Sequence, residues 1–247
     1  MSKSYPLRPG AHYSGAPVGI LLLDGDMIWG PGSVANASSF GYPVQFQVVK
    51  DLGATDILEP TNEYSIAQIT QAARALEQNG ARLIVGACGY FIKFQEHVKD
   101  AVNVPVALSS LLQIPMIINN LSQRQSLGIV TAVKGQVDDA MLLCSGVDST
   151  DRIIVDAIEQ EGNFIDCGLG RSDVFIPDEL ETNVLITVRK MVAENPSIGA
   201  ILLECSEFPP FAATVSEATG LPVFDFISMI DYFAGALKPR TFDNNWY

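Results

Sequence analysis

Leu83-Ile84-Val85-Gly86-Ala87-Cys88-Gly89-Tyr90-Phe91 and Ile201-Leu202-Leu203-Glu204-Cys205-Ser206-Glu207-Phe208 follow one local pattern: an apolar run reaches a cysteine and passes into a helix-like segment. Each is followed at the same distance by a Pro-Val pair, Val104-Pro105-Val106 in the first case and Leu221-Pro222-Val223 in the second. Positions 88 and 205 are 117 residues apart, as are positions 105 and 222. One spacing kept at two points marks a duplicated unit. Two thiols at equivalent places in two related lobes can face each other across a cleft, a geometry suited to moving protons on a substrate held between them.

Working outward, short β-branched apolar runs alternate with longer amphipathic stretches, the pattern of βα units around parallel sheets. Strands are predicted over 18–23, 45–49, 82–85, 106–108, 127–131, 153–155, 199–203 and 223–224. Helices are predicted over 64–78, 90–102, 109–121, 134–145, 179–194, 209–219 and 227–237. Gly80 and Asn195-Pro196 stop two helices just before the strands that lead to the cysteines. Val18-Gly19-Ile20 and Leu127-Gly128-Ile129 open the two halves alike. The expectation is an α/β chain of two pseudosymmetric lobes, each a mostly parallel sheet flanked by helices, with the active site in the cleft between them. The lobes are placed at 1–125, carrying Cys88, and 126–247, carrying Cys205, with the last helix packing back on the first lobe. Ligands of such sheets bind at the carboxyl ends of strands. Both cysteines fall there, as does the Gly- and Pro-rich loop from Asp24 to Pro43, long enough to cover a substrate.

Composition narrows the chemistry. With 247 residues and 48% hydrophobic content, the chain can bury a real core. Lys+Arg 15 against Asp+Glu 28 and no basic cluster give a nucleic-acid backbone nothing to bind. No apolar run approaches the ~20 residues of a membrane helix, and Met1-Ser2-Lys3-Ser4-Tyr5-Pro6 lacks the apolar core of a signal peptide. A cytoplasmic setting is expected, with the four cysteines kept as thiols. Only two histidines occur, His12 and His97, and there is no C-x-x-C pair. Zinc sites and Ser-His-Asp or Cys-His hydrolase chemistry are therefore starved of ligands and bases. Gly168-Leu169-Gly170 does not make a dinucleotide fingerprint, and no cofactor or metal is expected.

A free cysteine is usually a small buried hydrophobe, which is the reading taken for Cys144 and Cys167. Cys88 and Cys205 differ because their setting is shared. At a strand end and helix start, backbone N–H groups and the helix dipole are expected to lower a thiol's pKa. Such thiolates can abstract a proton next to a carboxylate if preorganised donors hold the developing charge. Backbone amides after each cysteine, with Thr131 and Ser110, are candidate donors; ordinary strand-end or capping roles are the alternative for both side chains. Glu204 and Glu207 flank Cys205 and either raise its pKa or contact a cation; solvated or structural carboxylates are the alternative. His97 is read as a surface or capping residue.

On these residues the chain resembles the aspartate/glutamate racemase superfamily of cofactor-independent enzymes, over nearly its whole length. The resemblance implies two pseudosymmetric α/β lobes, Cys88 and Cys205 as base and acid on the two faces of Cα, and a homodimer or higher assembly. It departs from the amino-acid racemases at two places. Their first cysteine is typically followed by Asn-Thr, where Gly89-Tyr90 stands here, and their second motif is Gly-Cys-Thr, where Glu204-Cys205-Ser206 stands here. Phe91, Phe94, Gln95 and Ser109 to Gln113 look more like the branch that includes the algal dimethylsulfoniopropionate (DMSP) lyases. That branch implies a small carboxylate carrying a sulfonium, which favours aromatic faces; Trp29, Tyr42, Tyr64, Tyr90 and Phe91 lie in or near predicted cleft loops. Gly89, Ser206 and Glu207 complete the candidate substrate-binding set. The alternatives are an aspartate-, glutamate- or hydantoin-type racemase using both thiols, and a non-catalytic carboxylate-binding protein.

Overall fold

The computed structural model describes residues 4, 7, 9–160, 162–239 and 241; the remaining terminal positions of both predicted lobes, including most of the first six residues, lie outside these. Two parallel four-stranded sheets are built in the same order. In the first, β2 (Val44–Val48), β1 (Val18–Leu22), β3 (Leu83–Gly86) and β4 (Val106–Ala107) lie side by side; in the second, β6 (Ile153–Ala157), β5 (Ser126–Thr131), β7 (Ile198–Leu203) and β8 (Val223–Phe224) repeat that arrangement. β3 and β7 are buried along their whole length, as expected for central strands covered on both faces.

The duplication is legible in packing. The outer face of the first sheet is covered by α1 (Glu63–Gln78) and α2 (Gln95–Ala101), that of the second by α6 (Pro177–Glu194) and α7 (Ala212–Thr219). Gly19 and Gly128 sit at equivalent points of β1 and β5, and a helix crosses each. A Cβ on Gly19 would meet Leu76 at 3.0 Å, and one on Gly128 would meet Met191 at 2.7 Å. A side chain at Gly19 would crowd Leu76 and Ala81, and one at Gly128 would displace the end of the Met191 side chain.

The inner faces are exchanged between lobes. Ile114 and Ile117 of α3 (Ile114–Asn120), which follows β4, pack with Leu127, Ile129, Ala200 and Leu202 of the second sheet. Phe226, Met229 and Ile230 of α8 (Phe226–Leu237), which follows β8, pack with Val18, Ile20, Leu83 and Val85 of the first. Each lobe thus closes the other's core, and hydrophobic burial holds the strand ends of both sheets against one another. α8 starts at a reciprocal capping box between Asp225 and Ser228, and Asn62 with Ser65 does the same for α1.

Three predicted features are corrected. The stretch 134–145 is helical only over α4 (Asp139–Leu143): Gly135 adopts φ +78°, outside helical space, and the Asp138 side chain caps Met141 N–H at 2.8 Å. The segments after the cysteines begin as 3-10 turns rather than α-helix, Gly89–Phe94 in the first lobe and Pro209–Phe211 in the second. A short helix absent from the reading, α5 (Asn163–Gly168), follows β6. Among the described residues, no helix is long and apolar enough to cross a membrane.

Candidate active site

The carboxyl ends of six strands converge on one cavity of about 280 Å³. In each sheet the chain turns to opposite sides between the first strand and the one bearing the cysteine, so the loops diverge and leave a crevice there. Facing the two sheets end to end merges the two crevices. From the first lobe come Leu23, Met27 and Trp29 after β1, Ile57 and Leu58 after β2, and Ala87 to Tyr90 after β3. From the second come Ala132 and Val133 after β5, Phe164, Ile165 and Leu169 in and after α5, and Glu204 to Glu207 after β7.

Cys88 and Cys205 therefore share one chamber, each half-buried and each unpaired. Their ionisation differs from the sequence expectation. The backbone N–H groups of Tyr90 and Phe91 do favour a Cys88 thiolate, but burial and the Glu204 carboxylate outweigh them and push this thiol up to about 12. Cys205 is raised well above its ordinary value by burial, by Glu204 and by Glu207, against one backbone N–H, from Glu207. Desolvation has overruled the helix-start effect. The two thiols are not equivalent: Cys88 faces one carboxylate and is helped by two N–H groups and the Lys93 charge, whereas Cys205 lies against two carboxylates.

Glu204 is the residue that sequence reasoning undervalued. It is 1% exposed and directly follows the apolar strand β7, and its Oε2 accepts from Thr131 Oγ1 at 2.9 Å. Thr131 Oγ1 lies 3.1 Å from Tyr90 Oη, which in turn accepts from Val133 N–H at 3.0 Å. With Thr131 donating to Glu204, the run reads Val133 N–H to Tyr90 to Thr131 to carboxylate, every donor aimed toward the charge. The other oxygen, Oε1, is buried without a partner. It lies where a side chain at Gly89 would begin, so position 89 has room only for glycine. Burial raises Glu204 to about 7, the Thr131 bond opposing. Glu207 is also raised to about 7 by burial, and its Oε1 accepts from Ser33 Oγ at 2.7 Å.

Of the other candidates, Gly89, Tyr90, Ser206, Glu207 and Trp29 line the cavity with the cysteines. Ser206 also ties the lobes together, its hydroxyl donating to Ala87 O at 2.8 Å. Thr131 stands behind Glu204 and positions it without lining the chamber. Ser110 is corrected: it is fully buried, and its hydroxyl donates to the carbonyl oxygens of Leu203 at 3.3 Å and Glu204 at 3.1 Å, pinning β7 across the lobe interface. Tyr42 is corrected as well, since its hydroxyl donates to Asp231 on α8 at 2.6 Å, away from the cavity. Tyr64 is largely exposed against Asp51, and Phe91 is a core residue. Cys144 is exposed at the end of α4 rather than buried, Cys167 is half-buried, and His97 is exposed. The loop after β1 does cover the chamber: Val34 N–H donates to Ser206 O at 3.2 Å, and Gly32, at φ +96°, passes so close to Pro210 that a Cβ would meet it at 2.8 Å.

Among the described residues, no group of three or more His, Cys, Asp or Glu is placed to hold a metal ion. Among the described residues, the lining carries no Lys, Arg or His. What it offers is two thiols, two buried carboxylates and a wall of apolar and aromatic side chains.

No family model matches the chain. In fold it is similar to the glutamate racemase of Bacillus anthracis, with a TM-score of 0.59 at 12% identity over 90% of this chain and 81% of that one. In sequence it is similar to a dimethylsulfoniopropionate lyase of Durusdinium sp. clade D, 27% identical over 94% of this chain and 79% of the relative. Dimethylsulfoniopropionate lyase 7 of Emiliania huxleyi is 31% identical over 93% of this chain and 70% of its own length. That degree of identity, sustained across both cysteine-bearing lobes, places the chain: it belongs to the dimethylsulfoniopropionate lyase family.

Proposed function

We propose that this protein is a DMSP lyase that removes a Cα proton with Cys88 and expels dimethyl sulfide to leave acrylate, using no cofactor. The observation that carries the reading is the shared chamber: thiols from both lobes, two buried carboxylates and no cationic side chain. Such a lining suits a substrate whose head is a positive charge wrapped in methyl groups, with Trp29 and Tyr90 offering aromatic faces.

Cys88 is assigned as the base from its surroundings: it faces one carboxylate with two backbone N–H groups and the Lys93 charge beside it, whereas Cys205 lies against two carboxylates. In the empty site it is protonated at neutral pH. A sulfonium entering the chamber offsets the carboxylate repulsion and favours loss of the Cys88 thiol proton to solvent; the thiolate, conjugate base of a weakly acidic thiol, is then a strong base. The thiolate takes the proton from Cα, the electron pair left there forms the Cα–Cβ double bond, and the Cβ–S bond breaks with its electrons on the departing dimethyl sulfide. Backbone N–H groups at the starts of the turns after the two cysteines serve the substrate carboxylate, whose enediolate character grows as the proton leaves. Cys205 orients and polarises; elimination needs no reprotonation at Cα.

Proton NMR in D₂O with DMSP, aspartate, glutamate and a hydantoin separates the readings. Acrylate and dimethyl sulfide are expected from DMSP alone. Deuterium at Cα of an amino acid or hydantoin, with loss of optical rotation, would instead establish the racemase alternative. Cys88→Ala is expected to abolish elimination and Cys205→Ala to leave part of it. Full turnover in both variants would overturn the thiol mechanism.

A further inference from the structure

We propose that Glu204 is the residue that makes this chamber selective for onium carboxylates, sulfonium or quaternary ammonium, over uncharged molecules of the same shape. The proposal rests on the reading of the cavity as the substrate site and goes beyond it by naming what recognises the positive charge.

A buried carboxylate is costly unless it is paired, and removing water from it is repaid only by hydrogen bonds or an opposite charge. Glu207 is repaid by the hydroxyl of Ser33. Glu204 is repaid at Oε2 alone; Oε1 has no partner in a residue 1% exposed. Among the described residues no Lys, Arg or His lines the chamber to supply the missing opposite charge. The Lys93 ammonium is committed to the carbonyl oxygens of Ile57 and Glu59.

The fold nevertheless goes to some length to keep this carboxylate. The hydroxyls of Tyr90 and Thr131 are chained so that each donates toward it, and position 89 is left without a side chain to give Oε1 room. The place of this side chain is specified, and among the described residues no cation is paired with it. A ligand carrying a fixed positive charge into the chamber completes the pair. Since the charge acts over several ångström in a poorly hydrated site, it does not require direct contact with Oε1. Glu204 is thus a specificity-determining residue rather than a catalytic one.

The test is binding, measured by titration calorimetry at pH 8 with two ligands that differ in one atom: β-alanine betaine, and its all-carbon isostere with a quaternary carbon in place of nitrogen. Both retain the carboxylate. The wild-type protein is expected to prefer the betaine by on the order of 10- to 100-fold. In Glu204→Gln the preference should shrink to less than about threefold through loss of betaine affinity, the isostere binding as before. Glu204→Asp should restore part of the preference. If Glu204→Gln fails to fold, the wild-type preference and its decline in Glu204→Asp carry the test. The proposal is overturned if the betaine does not bind, if the wild type shows no preference, if the preference survives in Glu204→Gln, or if Glu207→Gln removes it instead. Since neither ligand must turn over, discrimination without dimethyl sulfide release from DMSP would sink the lyase reading and leave this one standing.

Discussion

Gly89→Ala puts the arrangement around Glu204 under direct strain. The added methyl would overlap the carboxylate of Glu204 and stand 2.7 Å from its backbone oxygen. The carboxylate can yield only by giving up the Thr131 hydrogen bond, a charged and buried one, at a cost of roughly 1.5–3 kcal/mol. The carbonyl belongs to the chain leaving β7 and is itself held by Ser110. Shifting it adds an overpacking cost of about 1–3 kcal/mol. The total, about 2.5–6 kcal/mol, is a large part of the 5–15 kcal/mol that typical domains possess. For a chain of this size it corresponds to a melting-temperature loss of roughly 5–24 °C. Urea melts of Gly89→Ala, Glu204→Ala and the double variant form the assay. Removing the carboxylate should relieve most of the clash, so the double variant should be more stable than the sum of the singles by about 2 kcal/mol. A Gly89→Ala protein within about 1 kcal/mol of wild type, or strictly additive losses, would refute the packing of Glu204 against Gly89.

Other outcomes follow from the same geometry. Glu204 and Glu207 are both raised to about 7 from the ordinary 4.5, so the folded state holds more protons than the unfolded chain between those values. Their contribution to stability is full below pH 4.5 and is lost as pH rises through about 7, by on the order of 3 kcal/mol each. Urea stability measured from pH 5 to 8 should therefore fall, and Gln at both positions should flatten the curve; a steady rise in the wild type would contradict the burial of these groups. Tyr90→Phe removes the acceptor of Val133 N–H and the donor to Thr131, and should cost about 1–3 kcal/mol in the same melts and weaken binding of the betaine. Ser33→Ala takes from Glu207 its 2.7 Å donor, so the Glu207 pKa, followed by carboxyl NMR, should climb further; no movement would mean that the loop after β1 does not seal the site.

Much of the fold was legible because its signals are local. The eight strands lie within one or two residues of where alternating apolar runs placed them, and Gly19 and Gly128 mark the same helix crossing in each lobe. α5 escaped because six residues do not show a helical period. The 3-10 start after each cysteine escaped because one hydrogen-bond register differs from another by little in sequence. The cysteines, Gly89, Ser206 and Glu207, placed by their strand ends, and Tyr90 and Trp29, named as aromatic faces, all line the cavity, whereas Tyr42 lies elsewhere because nothing local reveals its bond to α8. Glu204 carried a signal that was underread: a carboxylate directly after a fully buried strand.

The sequence by itself determined the duplication, the strand-end position of both thiols and the scarcity of histidine, since each is a matter of order and spacing along one chain. What surrounds each thiol, one carboxylate at Cys88 and two at Cys205, and the way Glu204 fills the space kept open by Gly89 came only from the tertiary structure. Those properties are sums over groups brought together from both lobes. Burial withdraws water from thiol and carboxylate alike, and the resulting cost depends on neighbours that no local spacing specifies.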